Sequence, residues 1–496
     1  MSKLSNVLAD GGHNVTALFL HHLPMKNMDN LIKNKNIEII NYYPANFDTL
    51  GDGERDTFHE IWESVFYNNK VLGSFVMPRA MAQKFTNLAK QMLNDKELHD
   101  LLENKKFDAH VAETFELSPF YLAHLIKIPK TISVFSASKF SIQSIFGQPN
   151  TLGYIPGEFS KFGPQSGFFD RLNDFYYLMT AKKTDFDMME FQAYEFSKMI
   201  GDDIEVPTWQ ELVTKSTYYF FNSNPYLDFA MANVGSIVNI GGFTIDKSKK
   251  IDELPEEYEN ILKERPSTVL ISFGSVVRSY QMPESYKNSF LNLFQSLPDI
   301  TFIWKYEKDD EMLQKIPKNV HLKKWVPQPS LLADPRVKLF ITHGGLGSTM
   351  EVAYAGKPAL MIPLFGDQPN NAMMLSRHGG AQAYNKNDVP NHKKLVDSVS
   401  EIIGNSDYDK NAKQLQMILN NQPIDPKENL LKHMEFSVKF PKLKTLIPEN
   451  NNNNFIAYYY IDVWLFVGFI SISFLYFSYR VLVRFVVRLT KKSKTD

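Results

Sequence analysis

The stretch "VKLFITHGGLGSTMEVAYAGKPALMIP", Val337 to Pro363, limits the fold more than any other part of the chain. Two short apolar runs flank "LGSTMEVAYA", which reads as a helix stopped by Gly356. Strands joined through one helix pair in parallel, with the helix laid across the sheet. The same alternation surrounds this unit. "STVLISFGS" is a strand entering a Gly-Ser turn, "ITFIWKY" is a strand, and "NVHLKKWVPQPSLL" is a strand entering a loop. The pattern predicts a doubly wound α/β domain of mainly parallel strands. Ligands of such sheets lie beyond the carboxyl ends of the strands, so the informative residues belong there.

The N-terminal half alternates in the same way. "FDAHVAE", Phe107 to Glu113, is a strand ending in an acid, followed by helix "SPFYLAHLIKI" and strand "KTISVFS". An aromatic, irregular segment follows from about Pro149 to Lys198. With 496 residues, two domains and additional pieces are expected. The boundaries read as one domain over 1–245, a charged, proline-bounded linker over 246–266 and a second domain over 267–445. A formal net charge of -1 gives no electrostatic case for nucleic acid. The absence of cysteine excludes disulfides and thiolate metal sites.

The two ends differ. Val463 to Tyr479 carries no charge, and only Asp462 interrupts the run back to Phe455. That length suits a bilayer-spanning helix over 455–480. Tyr458, Tyr459, Tyr460 and Trp464 sit at one end as an interfacial belt, and Arg480, Arg484, Arg488, Lys491, Lys492 and Lys494 follow at the other. The basic tail, 481–496, is expected on the cytoplasmic side, with the body of the protein lumenal. Lys492 and Lys494 in "KKSKTD" resemble a dilysine signal that returns membrane proteins to the endoplasmic reticulum; a plain basic stop-transfer tail is the alternative. At the other end, "MSKLSNVLADGGHNVTALFLHH" has no apolar core of a signal peptide. Ser2 to Ala9 read as an amphipathic helix and Val15 to Leu20 as a buried strand. A helix feeding a parallel strand normally follows another strand, so a first strand and a signal peptide are expected to be missing together.

"FITHGGLGSTME" then has a chemical meaning. Gly344, Gly345 and Gly347 allow a backbone to approach an anion, and the helix start offers unpaired N–H groups with a positive dipole end. His343 adds a donor. Gly274-Ser275, ending another strand, supplies a second possible phosphate contact. Ser348 caps the helix or touches a ligand, and Glu351 suits ribose hydroxyls. Glycines after a strand are also ordinary turn geometry, and a lone histidine is often structural.

Taken together, "WVPQPSLLADPRVKLFITHGGLGSTMEVAYAGKPALMIPLFGDQPNNA", Trp325 to Ala372, resembles the signature of the UDP-glycosyltransferases, the glucuronosyl- and glucosyltransferase family, in a version similar to nematode members. The resemblance extends over nearly all the chain. It implies two Rossmann-like doubly wound domains facing a cleft (the GT-B arrangement), a C-terminal transmembrane helix and no metal. The N-terminal domain would take the acceptor and the C-terminal domain the UDP-sugar. By position, Trp325 would stack on uracil with Gln328 beside it. His343, Gly344, Gly345 and Gly347 would hold the diphosphate with Gly274 and Ser275, and Ser348 would lie next to them. Glu351 would bind ribose, and Asp367 with Gln368 would grip sugar hydroxyls. Many members carry Asn where this chain has Gly347, so that side-chain contact is lost.

The resemblance implies inverting transfer of glucose or glucuronate to a small lipophilic acceptor. UDP-glucose or UDP-glucuronate would be the co-substrate, and no cofactor is implied. Such transfer needs a base. In the family this is a histidine after the first strand, oriented by an acid whose position here is Glu113. On local sequence alone Glu113 reads equally as a solvated loop acid. The histidine falls in the segment expected to be missing. His13 matches a different histidine of the family, and nothing aligns His21 or His22 with the base. The alternative is therefore a donor-binding family member without efficient transfer, acting as an oligomeric partner of active relatives. A sugar-nucleotide epimerase shares the two-domain architecture but not the anchor or the Trp325–Ala372 text. In vertebrate glucuronosyltransferases an Arg occupies the position of Phe221, so its absence favours UDP-glucose.

Overall fold

A computed structural model describes residues 1–21, 32–43, 62, 83, 86–87, 89–138, 142–148, 155, 167–200, 205–245, 253–275, 277–440, 442–447 and 455–492. Residues 1–446 form one compact unit and 447–496 another. His22, Asn451–Asn454 and Lys494 lie outside the described residues, as does 246–252 of the expected linker.

The first unit holds two parallel α/β assemblies. In the N-terminal half, β1 (Thr16–Leu20) pairs with β2 (Glu38–Tyr42), and β3 (His110–Glu113), β4 (Thr131–Phe135), β5 (Tyr219–Phe221) and β6 (Ile237–Asn239) form a second sheet in that order. All these pairs are parallel. Among the described residues the two sheets share no ladder, yet Leu18, Leu20, Ile40 and Tyr42 pack against the same core as Ala112 and Phe135. The helix Ser2–Asp10 buries Leu4 and Val7 against the opposite face of the second sheet, beside Ile132, Val134, Phe220 and Val238.

The C-terminal half has one six-stranded parallel sheet. Its strands are β7 (Ser267–Ser272), β8 (Ile300–Lys305), β9 (Val320–Lys323), β10 (Val337–Thr342), β11 (Ala359–Met361) and β12 (Ala381–Ala383), in the spatial order β12-β11-β10-β7-β8-β9. Apolar residues on both faces explain the near-continuous hydrophobic strands. Val269, Ile271, Phe302 and Trp304 point into one core, and Leu270, Ile303 and Phe340 into the other. The chain order reverses between β7 and β10, which is the switch point where such sheets bind ligands.

Two expected boundaries move. Helix Glu256–Lys263, inside the expected linker, buries Tyr258, Ile261 and Leu262 in the C-terminal core. Helix Pro426–Lys439, expected with the C-terminal domain, crosses back and packs Leu430 and Met434 on the N-terminal sheet. There Asn429 Nδ2 donates to the Asn239 carbonyl (3.1 Å) and Thr217 Oγ1 to that of Phe440 (3.1 Å). The halves are also joined by the segment after β5. Asn224 Nδ2 donates to the Tyr354 hydroxyl (3.2 Å), and Arg377 and His378 bond the carbonyls of Asp228 and Leu227.

In the second unit, a short helix Phe455–Tyr458 breaks at Tyr460 (φ 53°), and a single helix runs from Ile461 to Lys492. Its segment Ile461–Leu489 is long and apolar enough to cross a membrane. The helix therefore starts later than the expected 455 and continues past 480 through Arg480, Arg484 and Arg488.

Candidate functional site

β7 ends in Phe273-Gly274-Ser275 and β10 in His343-Gly344-Gly345, so the two turns meet at the switch point. The His343 imidazole lies between them. A Cβ on Gly274 would stand 2.7 Å from its Cε1, and one on Gly345 would stand 2.6 Å from its Nε2. Glycine is thus required on both sides of the ring. Gly274 and Gly344 also take φ of +85° and +81°, where a side chain is strained. Helix Leu346–Ala355 starts at once, and its N-cap Gly345 has no side chain to occupy the first N–H groups. Burial, with Lys305 nearby, pushes the His343 pKa down to about 4. At neutral pH the ring is uncharged, with one nitrogen donating and one accepting.

Lys305, the last residue of β8, supplies charge under this turn. It is 5% exposed, and its Nζ donates to the Gly274 carbonyl (2.7 Å) and to Glu307 Oε1 (2.9 Å). It also lies 5.7 Å from the centre of the Trp325 ring. Glu307 Oε2 accepts from the Ser279 backbone N–H at 2.7 Å, so the ion pair pins the loop after β7 at two points.

Trp325, just past β9, is 69% exposed and offers an open ring face rather than a core contact. Tyr258 Oη donates to its carbonyl at 2.7 Å and fixes its backbone. Gln328 Nε2 donates to Glu351 Oε2 (2.7 Å) and Ser348 Oγ (3.2 Å), so Gln328, Ser348 and Glu351 form one polar surface. Lys3 reaches Glu351 Oε1 from the N-terminal half at 3.4 Å.

Asp367 precedes helix Gln368–Ser376 without capping it through its side chain. Its Oδ2 instead accepts from Asn371 Nδ2 (2.8 Å), which also donates to the Gly344 carbonyl (3.0 Å). Asn371 therefore ties the Asp367 loop to the glycine turn. Burial raises the Asp367 carboxyl pKa, with the Asn371 bond opposing. Gln368 turns its amide oxygen inward. It is 3% exposed, and its Oε1 accepts from the N–H groups of Leu364 (2.8 Å) and Phe365 (3.2 Å), shaping its own loop. Only its amide nitrogen retains donor capacity for a ligand.

Glu113 ends β3 and is not a solvated loop acid. Its Oε1 accepts from Thr114 N–H (3.1 Å) and its Oε2 from Ser136 N–H (2.9 Å). Burial raises its pKa, opposed by the Ser136 bonds and by the charge of the amino terminus. Among the described residues no imidazole bonds to it. His21, at the end of β1, is buried, with Nε2 2.8 Å from Asn41 Oδ1 and its ring stacked on Tyr43. His13 lies 3.4 Å from Glu435 on the exterior.

Residues 1–495 match the family described as UDP-glucoronosyl and UDP-glucosyl transferase. The chain belongs to this family of UDP-glycosyltransferases. UDP-glucuronosyltransferase 3A1 of Xenopus laevis is 26% identical over 499 residues, covering 99% of this chain and 91% of the relative. UDP-glucuronosyltransferase 3A2 of Homo sapiens is 28% identical over 481 residues, covering 94% and 87%. The Caenorhabditis elegans UDP-glucuronosyltransferase ugt-48 is 27% identical over 385 residues, covering 77% and 72%. Among solved structures, Phytolacca americana UGT2, complexed with UDP-2fluoro-glucose and pterostilbene, superposes with TM-score 0.57 at 15% identity, covering 88% of this chain and 96% of its own. A glycotransferase of kitacinnamycin gives TM-score 0.57 at 17% identity, with 88% and 95% covered. These structures share the GT-B fold.

Phe221 is 2% exposed and stacks on Phe135 with ring centres 4.3 Å apart, inside the N-terminal core. Lys305 and Asn371 are site residues that the sequence reading passed over. Lys305 had a usable signal, being a cation at the carboxyl end of an apolar strand. Beyond its own helix backbone, nothing lies within 4 Å of a Cβ position at Gly347, so the turn has room for a side chain there.

Proposed function

We propose that this glycosyltransferase moves glucose or glucuronate from its UDP-sugar to a small lipophilic acceptor, with inversion at the anomeric carbon. The observation that carries the proposal is the meeting of Gly274, His343 and the start of helix Leu346–Ala355 at the switch point, beside the exposed Trp325 ring. Uracil stacks on Trp325, and Glu351 receives the ribose hydroxyls in place of Gln328. The diphosphate lies over the glycine turn, and the sugar faces Asp367 and the Gln368 amide. When the bond to the anomeric carbon breaks, charge grows on the departing diphosphate. Helix N–H groups, the neutral His343 donor and the nearby Lys305 cation meet it without reorganising. Glu113 is placed at the end of β3 to orient a base on the acceptor side. We place the protein in the endoplasmic reticulum membrane, its body lumenal and its basic tail cytoplasmic, with conjugation of lipophilic compounds as its role.

The decisive experiment measures transfer of label from UDP-glucose and UDP-glucuronate to a panel of phenols, alongside the rise in melting temperature with UDP. Absence of UDP-dependent stabilisation would refute the donor site. Stabilisation without transfer would support a second reading, that of a donor-binding oligomeric partner. One observation favours that reading: the Glu113 carboxylate is engaged by two backbone N–H groups and by no described histidine.

A further inference from the structure

The geometry points to Trp62, a residue of the acceptor half, as a positioning residue for the sugar nucleotide: it holds in place the loop that carries Gly274 and Ser275. This inference rests on the donor site proposed above. Position 62 lies in the chain between β2 and β3, both strands of the N-terminal half. Its side chain is nonetheless 1% exposed inside the core of the C-terminal sheet. The indole meets Phe273 edge-on, with ring centres 5.0 Å apart, and Tyr286 at 6.3 Å. Its Nε1 donates to the Arg278 carbonyl at 3.0 Å. Phe273 immediately precedes Gly274, and Arg278 lies three residues past Ser275, so one indole grips the loop on both sides of its phosphate-facing pair.

The domain's own grip on this loop is both apolar and polar: Phe273 and Val277 are buried in its core, with Phe273 edge-on to Phe290 at 6.1 Å. Lys305 Nζ takes the Gly274 carbonyl (2.7 Å), Ser279 N–H donates to Glu307 (2.7 Å), and Ser279 Oγ donates to the Lys305 carbonyl (2.7 Å). Trp62 adds apolar backing from the other half and a second donor to the Arg278 carbonyl, which also accepts from Gln281 N–H at 3.2 Å. The other contacts between the halves named above, those of Asn224, Arg377, His378, Asn429, Thr217 and Lys3, involve other segments. A residue outside the donor domain therefore sets the shape of the surface that meets the diphosphate. Donor affinity becomes sensitive to how the two halves are joined.

The test is calorimetric binding of UDP and of uridine to the full chain in detergent. Trp62→Ala is expected to weaken UDP by about tenfold, with a smaller loss for uridine, because the loop faces phosphate and not base. Trp62→Phe keeps a ring and removes the bond to Arg278, and is expected to weaken UDP by about threefold. Trp209→Phe is the control. Trp209 is equally buried in the acceptor half and bonded to Glu190 at 2.7 Å. It should lower stability and leave UDP affinity unchanged, which separates positioning from general loss of fold. UDP binding by the Trp62 variants equal to wild type would overturn the inference, as would an equal loss in Trp209→Phe. If Trp62→Ala yields no folded protein, Trp62→Phe alone decides. Failure of the wild-type chain to bind UDP would instead remove the donor site, and this inference with it.

Discussion

Replacing Gly274 by alanine tests the arrangement of the glycine turn most directly. The residue has φ +85°, and the new methyl would lie 2.7 Å from His343 Cε1. The left-handed backbone costs about 1–2 kcal/mol for a residue with a side chain. The clash adds overpacking of about 1–3 kcal/mol. Ring displacement would normally relieve part of that, but a Cβ position at Gly345 lies only 2.6 Å from the other side of the same ring. The Gly345 backbone therefore stands close on that side and limits the displacement, and a total loss of about 3 kcal/mol is expected. Thermal and urea unfolding with and without UDP provide the assay. At a hundredfold excess over its Kd, UDP should add about 2.7 kcal/mol to the wild-type protein, and the variant should lose most of that gain. Gly347→Ala gives the internal comparison. It lies in helix Leu346–Ala355 with nothing within 4 Å of its Cβ position, so it should stabilise by about 0.5–1 kcal/mol and keep UDP protection. If the two variants behave alike, or if Gly274→Ala keeps wild-type stability and UDP protection, His343 does not sit between the two turns and the reasoning fails.

Lys305→Met should cost about 3–5 kcal/mol, because it strands the buried Glu307 carboxylate. Adding Glu307→Gln should restore most of that stability in urea unfolding but not the affinity for UDP, since the cation under Gly274 stays absent. His343 and His110 both have pKa values pushed down to about 4 by burial, so the folded chain keeps them neutral while the unfolded chain binds protons near 6.5. Stability should therefore fall as pH drops from about 6.5 to about 4, by up to about 3 kcal/mol per histidine. His343→Gln should flatten that slope in urea unfolding measured across the window. Glu113 and Asp367, raised by burial, act in the opposite direction and remain in both proteins, so the difference between the slopes isolates the histidine. Removing residues 461–496 should release the chain from carbonate-washed membranes, because this removes the span Ile461–Leu489.

The candidate site was legible because its residues are local in sequence and sit at strand ends. His343 and Asp367 each follow an apolar run and Trp325 lies just past β9, and in a doubly wound sheet strand ends of this kind face the ligand-binding side. Lys305 was equally accessible to that logic, but a lysine after "FIW" looks like an ordinary solvated strand end until its 5% exposure is known. Gln368 carries a feature that is hidden for a related reason. Adjacent to Asp367 in sequence, it turns its oxygen into the loop at Leu364 and Phe365, and no pattern of residue types reveals that turn. That Phe221 lies against Phe135 is likewise a fact of packing and not of spacing. The domain limits failed where the chain doubles back. Nothing in "PKENLLKHMEFSVK" distinguishes an amphipathic helix that covers its own sheet from one that covers the other. Trp62 is the extreme case, because its partners Phe273 and Arg278 lie far along the chain in the other half. Local periodicity specifies which face of an element is apolar, and tertiary structure alone decides which element that face meets. The residues proposed to bind are therefore readable at strand ends, while those that hold the neighbouring loops in position are not.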